Sequence, residues 1–238
     1  MTKKDLIKMI FGGIFLSLGI LLGFILCGVI VWGDLEASVF TSGGNGDSTQ
    51  MNLNCPVVIT PAETGTISVI LKNPADKESD RYLRASVTEG FATLVRETKT
   101  KVPLPANGKQ KVEWKVYPED AAFKRVILFR VFVNAKYPYP SMSGYCGIVK
   151  INTPWLGGNQ LLAIASLISV ACLVTGSVIW EIGVKPTTTK ARFSRNAVYF
   201  LAGILVLSAI VSYFGLWLIG LLGVAVAIIL VGVIIFRS

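Results

Sequence analysis

Three stretches of this chain are apolar throughout, and the segment between the first two is patterned. Residues 9–32, 158–180 and 197–236 contain no charged side chain. A helix needs about 20 apolar residues to cross a hydrocarbon layer of about 30 Å, so the first two stretches each predict one transmembrane helix. The third is too long for one crossing: a single helix of that length would extend about 60 Å. It predicts two spans, 197–213 and 216–236, turning at Tyr213-Phe214-Gly215-Leu216-Trp217.

Between the first and second spans the period changes to two. Thr66 to Leu71 alternates with Ile67, Val69 and Leu71 on one face, and Tyr82 to Thr88 alternates through Leu83, Ala85 and Val87. Lys109 to Tyr117 sets Val112, Trp114 and Val116 against Lys111, Glu113 and Lys115. Arg125 to Ala135 is apolar on both faces, as a central strand is. Shorter runs at 57–60, 93–98 and 145–151, with turns at Asn73-Pro74-Ala75-Asp76 and 103–108, bring the count to about seven strands. The fold class expected is therefore a membrane protein combining α and all-β parts. Four transmembrane helices carry an immunoglobulin-like antiparallel β-sandwich, residues 53–152, inserted between helices 1 and 2. Residues 33–52, with Gly43, Gly44 and Gly46, read as a linker that includes a short strand at 35–40.

Charge orients this arrangement. Of 238 residues 53% are hydrophobic and only 16% charged, against about a quarter in soluble domains. The net charge of +9 is distributed as the positive-inside rule requires. Lys3, Lys4 and Lys8 precede the first span, Lys185, Lys190, Arg192 and Arg195 fill the loop 181–196, and Arg237 follows the last span. The expectation is a multi-pass protein of the cell membrane with residues 1–8 and the C-terminus cytoplasmic and residues 33–155 extracytoplasmic. Trp32, Trp155, Trp180 and Trp217 fall at span ends, where interfacial tryptophans gather. Glu181 sits just past the second span, where an acid is usually a solvated helix end. The basic residues form no stripe with interleaved aromatics, which argues against nucleic acid.

The chemistry is sparse. Histidine is absent, removing the commonest general base and metal ligand. No glycine-rich phosphate loop, nucleophile–base pair or metal-ligand cluster is evident. Glu63, Glu113, Glu119 and Asp120 lie at turns or on outward strand positions. No catalytic residue, metal or cofactor is expected, nor a small-molecule substrate. Of four cysteines, Cys27 and Cys172 lie in apolar spans, leaving Cys55 and Cys146 as the pair in the polar segment. In an oxidising compartment these would form a disulfide; two buried free thiols are the alternative.

Two further patterns concern contacts. Gly12, Gly19 and Gly23 share a helical face, as do Ala165, Ser169, Cys172 and Gly176. Small residues on one face let helices approach closely, within the protein's own bundle or across a dimer. Tyr137-Pro138-Tyr139-Pro140 joins the last two strands and combines stiff backbone with amphipathic rings. It reads as a partner-contact loop or as a rigid turn packed on the sandwich.

A resemblance adds to this. Pro61-x-Glu63-x-Gly65, Asn73-Pro74, and Leu104-Pro105-x-Asn107-Gly108 ahead of Val112-x-Trp114 resemble bacterial immunoglobulin-like modules of the CARDB or NEW3 type. Ala106-Asn107-Gly108 stands where those modules usually carry a proline-glycine turn. The resemblance covers less than half of the chain. It implies a non-catalytic spacer or binding platform with Trp114 facing inward. The function expected is thus a non-catalytic multi-pass membrane protein presenting this domain to another protein or to the envelope, alone or as an accessory subunit of a membrane complex. Its partners would be membrane lipid and a protein or a second copy of itself. The alternative is an oligomeric channel or transporter component, with Ser208, Ser212 and Gly215 on one helical face. Against that, no span has an ionisable residue in its interior.

Overall fold

The computed structural model describes residues 3–41, 48–137, 139–183, 189–213 and 217–237. They fall into two compact units: residues 32–160, and residues 1–31 together with 161–238.

The first unit is built on two sheets. Strands β1 (Thr49–Gln50), β2 (Val58–Ile59), β3 (Gly65–Lys72) and β4 (Ser79–Glu89) lead into β5 (Phe91–Leu104) and β6 (Lys109–Val116). β7 (Val126–Val133) and β8 (Met142–Lys150) complete the set. One sheet has the order β1-β8-β7-β4-β5, with β2 also on β8; the other is the pair β3-β6. The alternation seen in the sequence sorts the side chains. Ile67, Val69 and Leu71 of β3 meet Leu83, Ala85 and Val87 of β4, and Ile127, Phe129, Val131 and Val133 of β7, in one buried cluster. Two sheets facing each other across one core make a β-sandwich. Trp114 of β6 points into it, its ring 5.4 Å from that of Phe129.

The sheet is mixed, which corrects the antiparallel expectation. β1 and β2 both run parallel to β8, at Thr49↔Met142 and Val58↔Val149. Between them the chain leaves this sheet and bridges Asn54 to Ser68 of β3. Cys55, at that crossover, is disulfide-bonded to Cys146 of β8. The sequence marked 57–60 as a strand run but left Thr49–Gln50, polar and exposed, within the linker, and pairing with a strand so distant in the chain leaves no local mark.

Residues 33–41 are also corrected. Helix α1 runs Lys3–Thr41, so the stretch expected to be linker and short strand is helical. Asp34 and Glu36 disguised it by ending the apolar run. The extension packs on the outer face of β7 and β8: Ala37 is fully buried with Val126 and Leu128, and Phe40 and Tyr145 flank them. This is why β7 is apolar on both faces. Gly147 of β8 and Gly33 approach so closely that neither position has room for a side chain.

The second unit contains the first part of α1 with α2 (Gly158–Gly183), α3 (Thr189–Tyr213) and α4 (Trp217–Arg237). Two helical segments, Ile10–Phe40 and Gly158–Trp180, are long and apolar enough to cross a membrane. The apolar stretches described in α3 and α4, Tyr199–Ser208 and Leu218–Leu230, are shorter. Leu201 and Leu205 of α3 and Ala227 of α4 are buried together, with Ile20 and Phe24 of α1 against them.

Candidate functional site

The loop 137–140 lies at the end of the sandwich opposite that from which the chain leaves into α2. It closes with reciprocal backbone bonds between Lys136 and Tyr139. Its two tyrosines behave differently. Tyr137 is 98% exposed. Tyr139 turns inward and its hydroxyl lies 3.2 Å from the Asn73 Oδ1 it donates to. Its ring covers the guanidinium of Arg81, 5.2 Å away. Pro140 contributes its carbonyl, which accepts from Arg81 Nη2 at 3.2 Å. Pro138 lies outside the described residues. One face of the loop is therefore packed on the sandwich, and the ring of Tyr137 is exposed.

Asn73 organises this end. Its Nδ2 donates to the carbonyls of Lys77 at 2.9 Å and Pro105 at 3.0 Å, with Leu104 at 3.3 Å sharing the same hydrogens. Its Oδ1 also accepts from Ala75 N. It thus ties three loops together: 73–78, 105–108 and 134–141. Arg81 is 5% exposed, and its Nη1 has no hydrogen-bond partner. Burial pulls its pKa below the ordinary arginine value, and Tyr139 acts in the opposite direction. Asn73 was read from the sequence only as a turn residue, and Arg81 was not singled out. Arg81 could have been, since it is in phase with Leu83, Ala85 and Val87 on the core face.

Of the four acids at turns and outward strand positions, three have structural partners. Glu63 Oε1 accepts from Thr60 N at 2.9 Å and from Gly158 N at 2.7 Å, holding the first turn of α2 to the end of β2. Asp120, buried, accepts from Tyr117 N at 2.8 Å and pairs with Arg96 at 3.0 Å. Glu113 pairs with Lys111 on the exposed face of β6, and Glu119 is exposed. Among the described residues no three cysteine or acidic side chains gather as a metal site would need. An open groove of about 420 Å³ lies on the outer face of β4 and β5, between Tyr82, Arg84, Lys99 and Lys101.

In the helical unit the small residues of α1 and α2 come together. Gly12 lies against Gly176 and the backbone of Trp180, and Gly19 against the backbone of Ser169 and Leu173. Ser169 Oγ donates to Gly19 O at 2.9 Å. Gly23 faces Ser169 and Leu205, and Ala165 is half-buried. Cys27 and Cys172 are buried free thiols. Ser208 is buried, its hydroxyl directed at Gly223 of α4. Gly215 lies outside the described residues, as do Lys185 and the rest of 184–188.

No protein-family model matches this chain, and no curated protein matches it. Solved structures do. The CARDB domain of a Pyrococcus furiosus protein, in complex with di-metal ions, matches at 9% identity and a TM-score of 0.35 over 44% of this chain and 93% of that one. Red sea bream transglutaminase matches at 13% identity and 0.34, over 49% of this chain and 18% of that one. A Listeria innocua β-glucosidase in complex with glucose matches at 15% and 0.29, over 47% and 18%. A CARDB domain is thus among the solved structures to which part of this chain is similar. This chain spans under a fifth of either enzyme, and the sandwich described above stands on its own sheets and core.

Proposed function

We propose that this chain is a non-catalytic, multi-pass membrane protein that crosses the bilayer four times and presents its immunoglobulin-like sandwich outside the cytoplasm. There the sandwich contacts another protein or the envelope, and the helices anchor it or join it to a larger complex. The observation that carries this is the Cys55–Cys146 disulfide within a unit bracketed by two long apolar helices. Disulfides persist in oxidising compartments, and helices of this length and hydropathy suit a bilayer. The partnered state of Glu63, Glu113 and Asp120 supports a binding role over a catalytic one. Tyr137 supplies an exposed aromatic on a loop backed by a packed network, a combination suited to recognition.

Labelling with a membrane-impermeant maleimide tests the topology. Tyr137→Cys should react in intact cells, and Thr188→Cys only after the membrane is opened. Reaction of both without opening, or of neither site in the expected order, would sink the four-span reading. For the contact role, affinity purification from native membranes in mild detergent is expected to retain a discrete partner with the parent chain. The Tyr137→Ser chain should lose it.

A further inference from the structure

We infer that the end of the sandwich from which α2 departs is a lipid-contacting tip, in which Phe91 and Phe123 enter the interfacial layer of a bilayer. This rests on the membrane-anchored reading above and adds a surface to it.

Two turns build the tip. Gly90, at φ 74°, joins β4 to β5 and leaves Phe91 55% exposed. In the second turn Arg125 N–H bonds back to Ala122 C=O, and the two residues between, Phe123 and Lys124, are left-handed at φ 50° and 60°. Such paired left-handed positions are normally filled by glycine, asparagine or aspartate. A phenylalanine there is an outlier, and its ring gains little from the fold: Phe123 is 65% exposed. Its aromatic neighbour is Phe91, edge-to-face at 5.9 Å. The turns are locked together, since Phe123 N–H bonds to Gly90 C=O. Leu94 and Val95 extend the exposed apolar surface along β5.

Position selects the occupant. Lys150 N–H bonds to Arg125 C=O, so the tip shares its end of the sandwich with the end of β8. Gly158, the first residue of α2, is held at that end by Glu63. Trp155, between them, is 88% exposed. The α1 extension begins there too, with Gly33 against Gly147 and Val149. Both apolar helices therefore join the sandwich at the end that carries the exposed rings. Tryptophan, such as Trp155, is enriched at that depth of a bilayer, and phenylalanine rings of interfacial surfaces bury at the headgroup–acyl boundary. The exposed charges of the turns, Lys124 and Arg125 against Glu89 and Glu119, balance, so the contact depends on the rings and not on anionic lipid.

The test uses the full chain in phosphatidylcholine bilayers with 4-fluorophenylalanine placed, one site per sample, at Phe91, Phe123, Tyr137 and Leu167. Fluorine relaxation is read with a nitroxide on the lipid just below the headgroup and, separately, with a water-soluble gadolinium chelate. The expected result is that positions 91 and 123 are broadened by the lipid nitroxide and protected from gadolinium, with position 137 the reverse. Leu167, exposed in the middle of α2, should sense lipid alone. If 123 is as open to gadolinium as 137 while 167 senses lipid, the tip is overturned and the membrane reading stands. Protection of 123 from both agents would mean a protein covers it, which also overturns the lipid assignment. If 167 fails to sense lipid, the membrane reading itself falls, and the tip with it.

Discussion

At the scale of single residues, the sandwich is held at one end by an amide and not by apolar packing alone. Asn73 is buried and uses both ends of its side chain, so an alanine there leaves three loop carbonyls without their donor. Stranded buried acceptors cost about 1–3 kcal/mol. Asn73→Ala should lower the sandwich melting temperature by roughly 10 °C on the usual conversion for domains of this size. Thermal unfolding in detergent, followed by near-ultraviolet dichroism, reads this. An unchanged melting point would mean the network is ornamental. Asp80 and Lys101 make the opposite case. Their ion pair is 2.8 Å long but solvent-exposed. Lys101, through its hydrogen bond and charge, holds the Asp80 carboxyl below the ordinary carboxylate range, and Asp80 in turn raises Lys101. A depressed acid contributes above its unfolded-state pKa and loses that as pH falls through the folded value. A raised lysine contributes below its unfolded-state pKa and loses that as pH rises through the folded value. The contribution is therefore constant across the neutral range, and exposure keeps it small. Lys101→Met should leave the melting temperature within a few degrees of the parent, with no trend between those limits. A pH-dependent gap near neutrality would contradict this.

At the scale of elements, the α1 extension is the feature with the clearest consequence. Alanine is a better helix former than glycine by about 1 kcal/mol. Were residues 33–41 a free helical segment, Gly33→Ala would stabilise it. A Cβ at Gly33 would instead lie 2.9 Å from the Gly147 carbonyl oxygen, a backbone atom of a paired strand that cannot swing aside. Gly33→Ala is expected to destabilise the sandwich despite the propensity gain, so the sign of the melting shift alone decides whether the extension is docked. The same element shows what the sequence carried and what it did not. Strands whose two faces differ were legible from alternation: β3, β4 and β6 all begin and end within a few residues of the expected bounds. β5 was read as six residues and is fourteen, because an exposed strand has no apolar face to mark its length. The helix 33–41 was hidden because its buried stripe is thin, Ala37 and Phe40 among polar neighbours. Its signature lay elsewhere, in a β7 too apolar for a strand with one solvated face. Of the candidate surface, the Tyr137 side was legible as composition. The inward role of Tyr139 and the tip at Phe123 were not, since both depend on the backbone path of short turns.

At the scale of the whole chain, the division into two units has a thermodynamic counterpart. The only cross-link among the described residues, Cys55–Cys146, closes a loop with a sequence separation of 91 entirely within the sandwich. Constraining the unfolded chain over such a loop stabilises by about 4–5 kcal/mol in the chain-entropy account. The helical unit has no such bond; its two cysteines are free and separately buried. It is held by close backbone approach, Gly12 on Gly176 and Gly19 on Ser169, and by the burial of Leu201, Leu205 and Ala227. Contacts of that kind compete with solvating alkyl chains, whereas the sandwich core is closed to them. Scanning calorimetry of the full chain in detergent should therefore resolve two transitions with different sensitivities. A reductant strong enough to open the disulfide is expected to move one of them down by more than 10 °C and leave the other in place. Shortening the detergent chain should do the reverse. A single transition that responds to both treatments would mean that α1, which belongs to both units, transmits enough energy to make them one cooperative body.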